Sequence, residues 1–281
     1  QQTANIFGGY VQSEWKSNKL NMLLGARADK HSLLNTPVIS PRVNLLYKPA
    51  TNLQLRASYS SGYRAPQVYD EDLHVTQVGG ESVRIQLAEN LRPEYSHSTS
   101  LSADYYVRIN ENLQANFLFE GFYTVLNDVF ALRTIGHDTN TQTMIQERYN
   151  ASGATVLGAS LTAKVSYKDF LVISAAYTLQ SSRYKETEYW SNDTSVEGTD
   201  KLLRSPDDYG FVSVDYNPTK KLGINVSGTY TGKMLVPHFA GYIENDRLET
   251  TPRFFDLNTA VNYDFKITKN NTIQVKIGVN N

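Results

Sequence analysis

Apolar and polar residues alternate with a period of two along most of this chain, and helical stripes are hard to find. At 222–231, Leu222, Ile224, Val226, Gly228 and Tyr230 fall on one face, and Gly223, Asn225, Ser227, Thr229 and Thr231 on the other. At 255–265, Phe255, Leu257, Val261, Tyr263 and Phe265 oppose Asp256, Asn258, Asn262 and Asp264. Residues 98–109 set Leu101, Ala103, Tyr105, Val107 and Ile109 against a face of Ser, Asp, Tyr and Arg, and Ile273, Val275, Ile277 and Val279 repeat the pattern near the end. The alternation predicts twelve strands: 5–15, 20–30, 39–48, 53–64, 94–109, 113–127, 149–166, 170–184, 208–217, 221–234, 253–266 and 272–281. Most are long enough to cross a bilayer at a tilt, which takes roughly 9–11 residues.

The connections carry more information than the strands. Short ones at 16–19, 49–52, 110–112, 167–169, 217–220 and 268–271 alternate strictly with long ones at 31–38, 65–93, 128–148, 185–207 and 235–252. One rim of the sheet is therefore expected to hold every tight turn and the other every long loop, the asymmetry of an outer-membrane β-barrel. A soluble antiparallel sheet with one buried face also alternates. Two features favour the membrane. The polar face within strands is rich in Ser, Thr, Asn and Gln, where a soluble surface carries more Lys and Glu, and charges gather in loops such as 185–188 and 244–247. Aromatics bracket the apolar face at strand ends: Phe7 and Trp15 in the first strand, Phe255 and Phe265 in the eleventh. The fold class expected is an all-β, antiparallel transmembrane β-barrel.

Composition adds little against this and some support. The 281 residues include 19 Tyr, a residue suited to the boundary between apolar and wet phases. No run of 18 apolar residues occurs, and the mean hydropathy of −0.42 averages over two unlike faces. A formal net charge of −1 gives no field that would favour nucleic acid, and none is expected as a partner. Cysteine is absent, which removes disulfides and thiolate metal sites. With no charged start and apolar segment ahead of it, the opening at Gln1 is expected to be mature or excised material.

At 40–66 a more specific pattern emerges. Ser40-Pro41-Arg42 opens a strand that closes on Leu45-Leu46-Tyr47-Lys48-Pro49; Leu53-Gln54-Leu55-Arg56-Ala57-Ser58-Tyr59 follows, and Ser61-Gly62-Tyr63-Arg64-Ala65-Pro66 leads into a long loop. This resembles TonB-dependent outer-membrane receptors, as do Tyr10-Val11-Gln12-Ser13-Glu14-Trp15, Leu24-Gly25-Ala26-Arg27-Ala28-Asp29, Leu203-Arg204-Ser205-Pro206, Phe255-Asp256-Leu257 and Ile277-Gly278-Val279-Asn280-Asn281. The resemblance implies a barrel of about 22 strands with a plugged lumen. Residues 1–281 are then expected to be one partial barrel domain, roughly strands 10 to 21, a fragment with the amino-terminal plug domain and the final strand missing.

The resemblance also implies function. The whole protein would sit in the outer membrane of a Gram-negative bacterium, in contact with outer-membrane lipid. It would take up a scarce, large cargo (ferric siderophore, haem, cobalamin or glycan; siderophore or cobalamin-like favoured) with energy delivered by the TonB complex through the plug. Tyr63, Arg64, Tyr69, Tyr189, Trp190, His238 and Tyr242 are the candidate cargo contacts in the long loops, since aromatics stack and Arg and His donate to anionic cargo. Arg27, Arg42 and Arg56 alternate into the polar face, and are expected to point at the lumen, with solvated or paired lumen charge as the plainer reading. No catalytic motif, cofactor or metal site is expected; the five His are scattered, and Asp70-Glu71-Asp72 lacks the spacing of a Ca²⁺ loop. A barrel protease or phospholipase is the enzyme alternative, and a passive porin or adhesin the third.

Overall fold

A computed structural model describes residues 4–66, 82–138, 143–191, 195–238, 240 and 243–281. The strands are β1 (Ile6–Lys16), β2 (Leu20–His31), β3 (Val38–Ala50), β4 (Leu53–Arg64), β5 (Ser82–Leu87), β6 (Glu94–Arg108), β7 (Leu113–Asn127), β8 (Phe130–Asp138) and β9 (Thr143–Asn150). They continue with β10 (Ala154–Tyr167), β11 (Leu171–Glu188), β12 (Thr199–Lys201), β13 (Asp208–Tyr216), β14 (Leu222–Thr231), β15 (Leu235–His238), β16 (Arg247–Thr250), β17 (Phe254–Lys266) and β18 (Thr272–Asn280). One meander, β1-β2-β3-β4-β6-β7-β10-β11-β13-β14-β17-β18, forms the main sheet, with β12 added on β11, and its pairings are antiparallel.

All twelve expected strands are in this path, and the six others lie inside the long connections. The expected strand at 149–166 is corrected by the structure: β9 stops at Asn150 and β10 starts at Ala154. Gly153 sits between them at φ +108°, a conformation that side chains rarely adopt, and a Cβ there would collide with the Leu126 carbonyl oxygen. Gly153→Val is expected to cost about 1–3 kcal/mol through this strain. Urea unfolding of the intact protein in lipid vesicles measures it; an unshifted midpoint would show that the turn relaxes freely.

Register divides the sheet into two faces. Arg42 pairs with Ser60, Ser60 with Ser98 and Ser98 with Thr124; Arg56 pairs with Ser102 and Ser102 with Glu120. Carried onward, this polar face takes in Ser160, Thr178, Ser213, Asn225, Asn258 and Asp264. The opposite face holds Leu55, Leu101, Phe119, Leu161, Leu179, Val212, Val226, Val261 and Ile277, because successive side chains point to opposite sides of a strand.

Among the described residues this apolar face has no second layer. Among the described residues the buried apolar side chains are few and mostly small (Leu34, Val38, Ala65, Ala115, Ala151 and Ala154), whereas Leu101 is 62% and Ile277 71% exposed. A soluble sandwich would bury those residues between two sheets. A membrane-spanning sheet turns them to lipid, and the antiparallel ladders satisfy the backbone polar groups between its strands. Phe255 and Phe265, both half exposed, are ten residues apart on this face. That is about 34 Å of strand, or about 26 Å of height at a tilt of roughly 40°, the span of an apolar band between two aromatic girdles. The meander puts the connections 32–37, 65–93, 128–153, 189–207 and 232–253 on one rim and the short turns on the other.

Candidate functional site

The polar face and the long-loop rim are where a solute could be handled, since the other face is apolar. On the polar face Arg27 forms an ion pair with Asp29 at 2.7 Å, and the Asp29 carboxylate is buried. Arg56 donates to Gln54 Oε1 at 3.2 Å, and neither Arg42 nor Arg56 has an ion-pair partner among the described residues. Hydroxyl pairs bridge the strands: Ser58 Oγ to Ser100 Oγ at 2.8 Å, and Ser98 Oγ to Thr124 Oγ1 at 3.0 Å.

At the rim, β8 and β9 form a hairpin, and β5 joins it in parallel with β9, so the 65–93 and 128–153 connections share one small sheet. Its base is clamped to the barrel. Arg64 is paired with Glu94 at 2.7 Å and lies over the Phe130 ring at 4.9 Å; the buried Arg148 guanidinium approaches the same ring at 5.9 Å. Glu94 also accepts from the Phe130 N–H. Asn150 accepts from the Arg92 N–H at 2.8 Å and donates to the carbonyls of Arg92 and Asp128, at 2.9 and 2.7 Å. Higher on the hairpin Arg133 pairs with Glu147 and covers Tyr149 at 5.0 Å. Burial pushes the Tyr149 phenol above its ordinary pKa, and the Glu188 carboxylate adds to this.

Asn150→Ala leaves the Arg92 and Asp128 backbone groups without this partner, an expected cost of about 1–3 kcal/mol. Limited proteolysis of the intact protein should then cut at 88–93 or 128–150. Wild-type resistance in the variant would show that the clamp does not hold the hairpin.

A second group forms where the connection after β11 meets the β15–β16 hairpin. Ser191 donates to Asp246, and the Arg204 N–H donates to the Leu235 carbonyl at 2.8 Å. Trp190 Nε1–H donates to the Glu197 carbonyl at 3.2 Å, Tyr189 is 72% exposed, and His238 lies 3.4 Å from Glu249. The predicted residues thus divide. Trp190 and His238 are brought to one part of the rim, and Arg64 to another. Tyr63 packs, half-buried, against Leu34, Val38 and Ala65 beside Tyr95. Tyr69 and Tyr242 lie outside the described residues.

Glu94, Phe130, Arg148 and Asn150 are absent from the sequence expectation. A signal existed: His137-Asp138-Thr139-Asn140-Thr141 is a turn-forming cluster between two β-prone runs, with Arg133 and Glu147 of opposite charge on either side. No cluster of three or more metal-ligating side chains occurs among the described residues.

A family model described as TonB dependent receptor-like, beta-barrel matches residues 1–281. Comparison with curated proteins gives no match. Among solved structures the chain is similar to the siderophore receptor PirA of Acinetobacter baumannii, with 17% identity and a TM-score of 0.68 over 99% of this chain and 41% of that one. It is similar to a mutant of the ferric enterobactin receptor PfeA of Pseudomonas aeruginosa, with 18% identity, a TM-score of 0.68, and 99% and 39% covered. The FrpB iron transporter of Neisseria meningitidis gives 17%, 0.65, and 99% and 40%. At these identities the likeness carries the fold, and the chain spans about two fifths of the length of each of these proteins. Strand order, an uncovered apolar face, a one-sided set of long loops and the whole-chain match converge, and this chain belongs to the TonB-dependent receptor-like β-barrel family.

Proposed function

We propose that the whole protein is an outer-membrane receptor that binds an iron chelate at its long-loop rim and imports it past the polar face of the barrel, driven by TonB. The observation that carries this reading is the juxtaposition of an arginine- and aromatic-rich rim (Arg64, Phe130, Arg148) with the polar face of β4 and β6 beneath it. The names of the similar structures, a siderophore receptor, a ferric enterobactin receptor and an iron transporter, support iron in a chelate as the cargo ahead of haem or cobalamin. Membership of a receptor family removes the support for the protease or phospholipase alternative.

In this reading the long-loop rim is extracellular, and the polar face with Arg27, Arg42 and Arg56 lines the lumen. The chain supplies roughly strands 10 to 21 of a barrel of about 22, and a plug fills the rest of the lumen. Tyr189, Trp190, His238 and Arg64 contribute to cargo capture, and so do Tyr69 and Tyr242 of the long connections. The test is growth on chelated iron of a Gram-negative strain stripped of its own iron receptors and supplied with the intact gene. Growth on at least one ferric siderophore, lost when TonB is deleted, is expected. Failure on every iron chelate offered, or growth that persists without TonB, would overturn the reading.

A further inference from the structure

Two grooves, of about 540 and about 380 Å³, lie along the strands β1–β4 and β6–β7, and both are lined by Asn44 and Ser58. They therefore form one furrow. The first extends it to Arg27, Ser40 and Arg42, the second to Arg56 and Ser102. Register accounts for its chemistry. Arg42–Ser60–Ser98–Thr124, Asn44–Ser58–Ser100–Phe122 and Leu46–Arg56–Ser102–Glu120 are successive rows of the polar face, polar at every position but Leu46 and Phe122. The same face from β7 to β13 is different, with Leu118, Phe122, Leu126, Val156 and Phe211 on it. The polar lining of β3, β4 and β6 is thus interrupted from β7 to β13, and it resumes with Asn225, Ser227 and Thr229 of β14 and Asn258 and Asp264 of β17.

The charges in that sector are unequal in availability. Arg27 is neutralised by Asp29 and Glu14 by Lys16, whereas Arg42, Arg56 and the carboxylate Glu120 have no ion-pair partner among the described residues, and both of these arginines are exposed. Between and beside them the lining is mostly hydroxyl and amide, with Leu23 and Leu46 among it, and two of the hydroxyl contacts join Ser58 to Ser100 and Ser98 to Thr124. A neutral hydroxyl surface exchanges hydrogen bonds with a hydrated solute at little net cost, since each bond made replaces one to water. Two guanidiniums against the single unpaired carboxylate of Glu120 bias that solute to negative charge, and low-dielectric walls concentrate their field.

We propose that this furrow is an anion-accepting transit surface, the sector of the inner wall along which a negatively charged cargo moves; the proposal rests on the transport reading above. Arg42 and Arg56 attract, the serine rows let the cargo slide, and the more apolar β7–β13 sector faces the plug. Arg42 and Arg56 act in passage, and the rim sets affinity.

The test uses the absence of cysteine from this chain. In the intact receptor, with any other cysteines replaced, Ser58→Cys is exposed to sulfonatoethyl methanethiosulfonate (anionic) and to trimethylammonium-ethyl methanethiosulfonate (cationic). Rates are normalised to a free thiol. The anionic reagent is expected to react about tenfold faster at this site, a preference lost in Arg42→Gln/Arg56→Gln and weak at Ala176→Cys in the other sector. Equal rates, a cationic preference, or no reaction with either reagent would each overturn the proposal, the last because the furrow is then covered. None of these depends on the cargo, so they leave the transport reading to its own growth test. Passage is tested by Ser58→Trp, expected to cut energised uptake at least tenfold with surface binding within twofold of wild type; unchanged uptake in a folded barrel would also overturn it. A variant that fails to assemble is replaced by Ser100→Trp, the partner across the same row.

Discussion

Arginine at Leu101, in the middle of β6, is expected to destabilise the assembled barrel by about 2–4 kcal/mol, the cost of a cation near the bilayer midplane. Its neighbour sets the contrast. Ser100 is one residue away and on the other face, so Ser100→Arg places the same charge on the polar side and is expected to cost less than about 1 kcal/mol, as surface substitutions do. The two substitutions differ only in which side of the strand they occupy, and a soluble sheet exposed on both faces would not distinguish them. Urea unfolding of the intact protein in lipid vesicles, and the fraction recovered as heat-modifiable barrel in membranes, both measure this. Val261→Lys on β17 should repeat the effect at a distant point of the sheet, where Val261 lies opposite Ile277 on the same apolar face. Equal costs at Leu101 and Ser100 would refute the assignment of a lipid-facing side.

Loss of cargo binding is the second large effect expected. Arg64→Ala/Arg148→Ala removes both guanidiniums from the Phe130 ring, and with them the half-exposed charge-assisted donor of Arg64 at the rim. At about 1.5–3 kcal/mol for each contact to a charged group, surface binding of the ferric chelate that supports growth should fall at least tenfold. Arg64 also holds Glu94, and Arg148 is buried, so the fall could reflect collapse of the hairpin. Two controls separate these causes. Arg64→Lys keeps the charge near Glu94 without the planar fork, and should recover part of the binding if charge is what the cargo reads. Limited proteolysis of the double variant should leave 128–150 uncut if the hairpin survives. Binding within twofold of wild type in the double variant would exclude this pair from cargo capture.

Much of this was written in the sequence, for a local reason. Side chains alternate by strict geometry along a strand, so the twelve spanning segments and the face of each residue follow from the order of apolar and polar residues alone. Loop length decides which rim is elaborate, since in a meander every second connection returns to the same edge. Arg27, Arg42 and Arg56 could therefore be assigned to one face with no coordinates, and the registers Arg27–Ser40, Arg42–Ser60 and Arg56–Ser102 place them there. The strand expected from 149 ran too far back because Arg148, Tyr149 and Asn150 continue the β-prone run, and only the positive φ at Gly153 marks the break.

What the sequence alone could not decide is anything made by contact between connections distant in the chain. The parallel pairing of β5 with β9 joins residues about sixty positions apart, and no local periodicity encodes it. Arg148 reads as an ordinary loop cation, yet tertiary packing buries it against Phe130, near Arg64 from another strand end. Tyr63 and Arg64 are neighbours that looked alike as cargo contacts, but alternation sends them apart: Tyr63 packs against Leu34, Val38 and Ala65, while Arg64 turns to Glu94 and Phe130. The polar furrow has the same origin. Each serine on β4 and β6 was visible as a polar position, but a groove exists only once register sets Ser58 beside Ser100 and between Arg42 and Arg56. Periodicity fixes a side of the sheet; register and loop packing fix which residues meet, because they depend on which strands become neighbours.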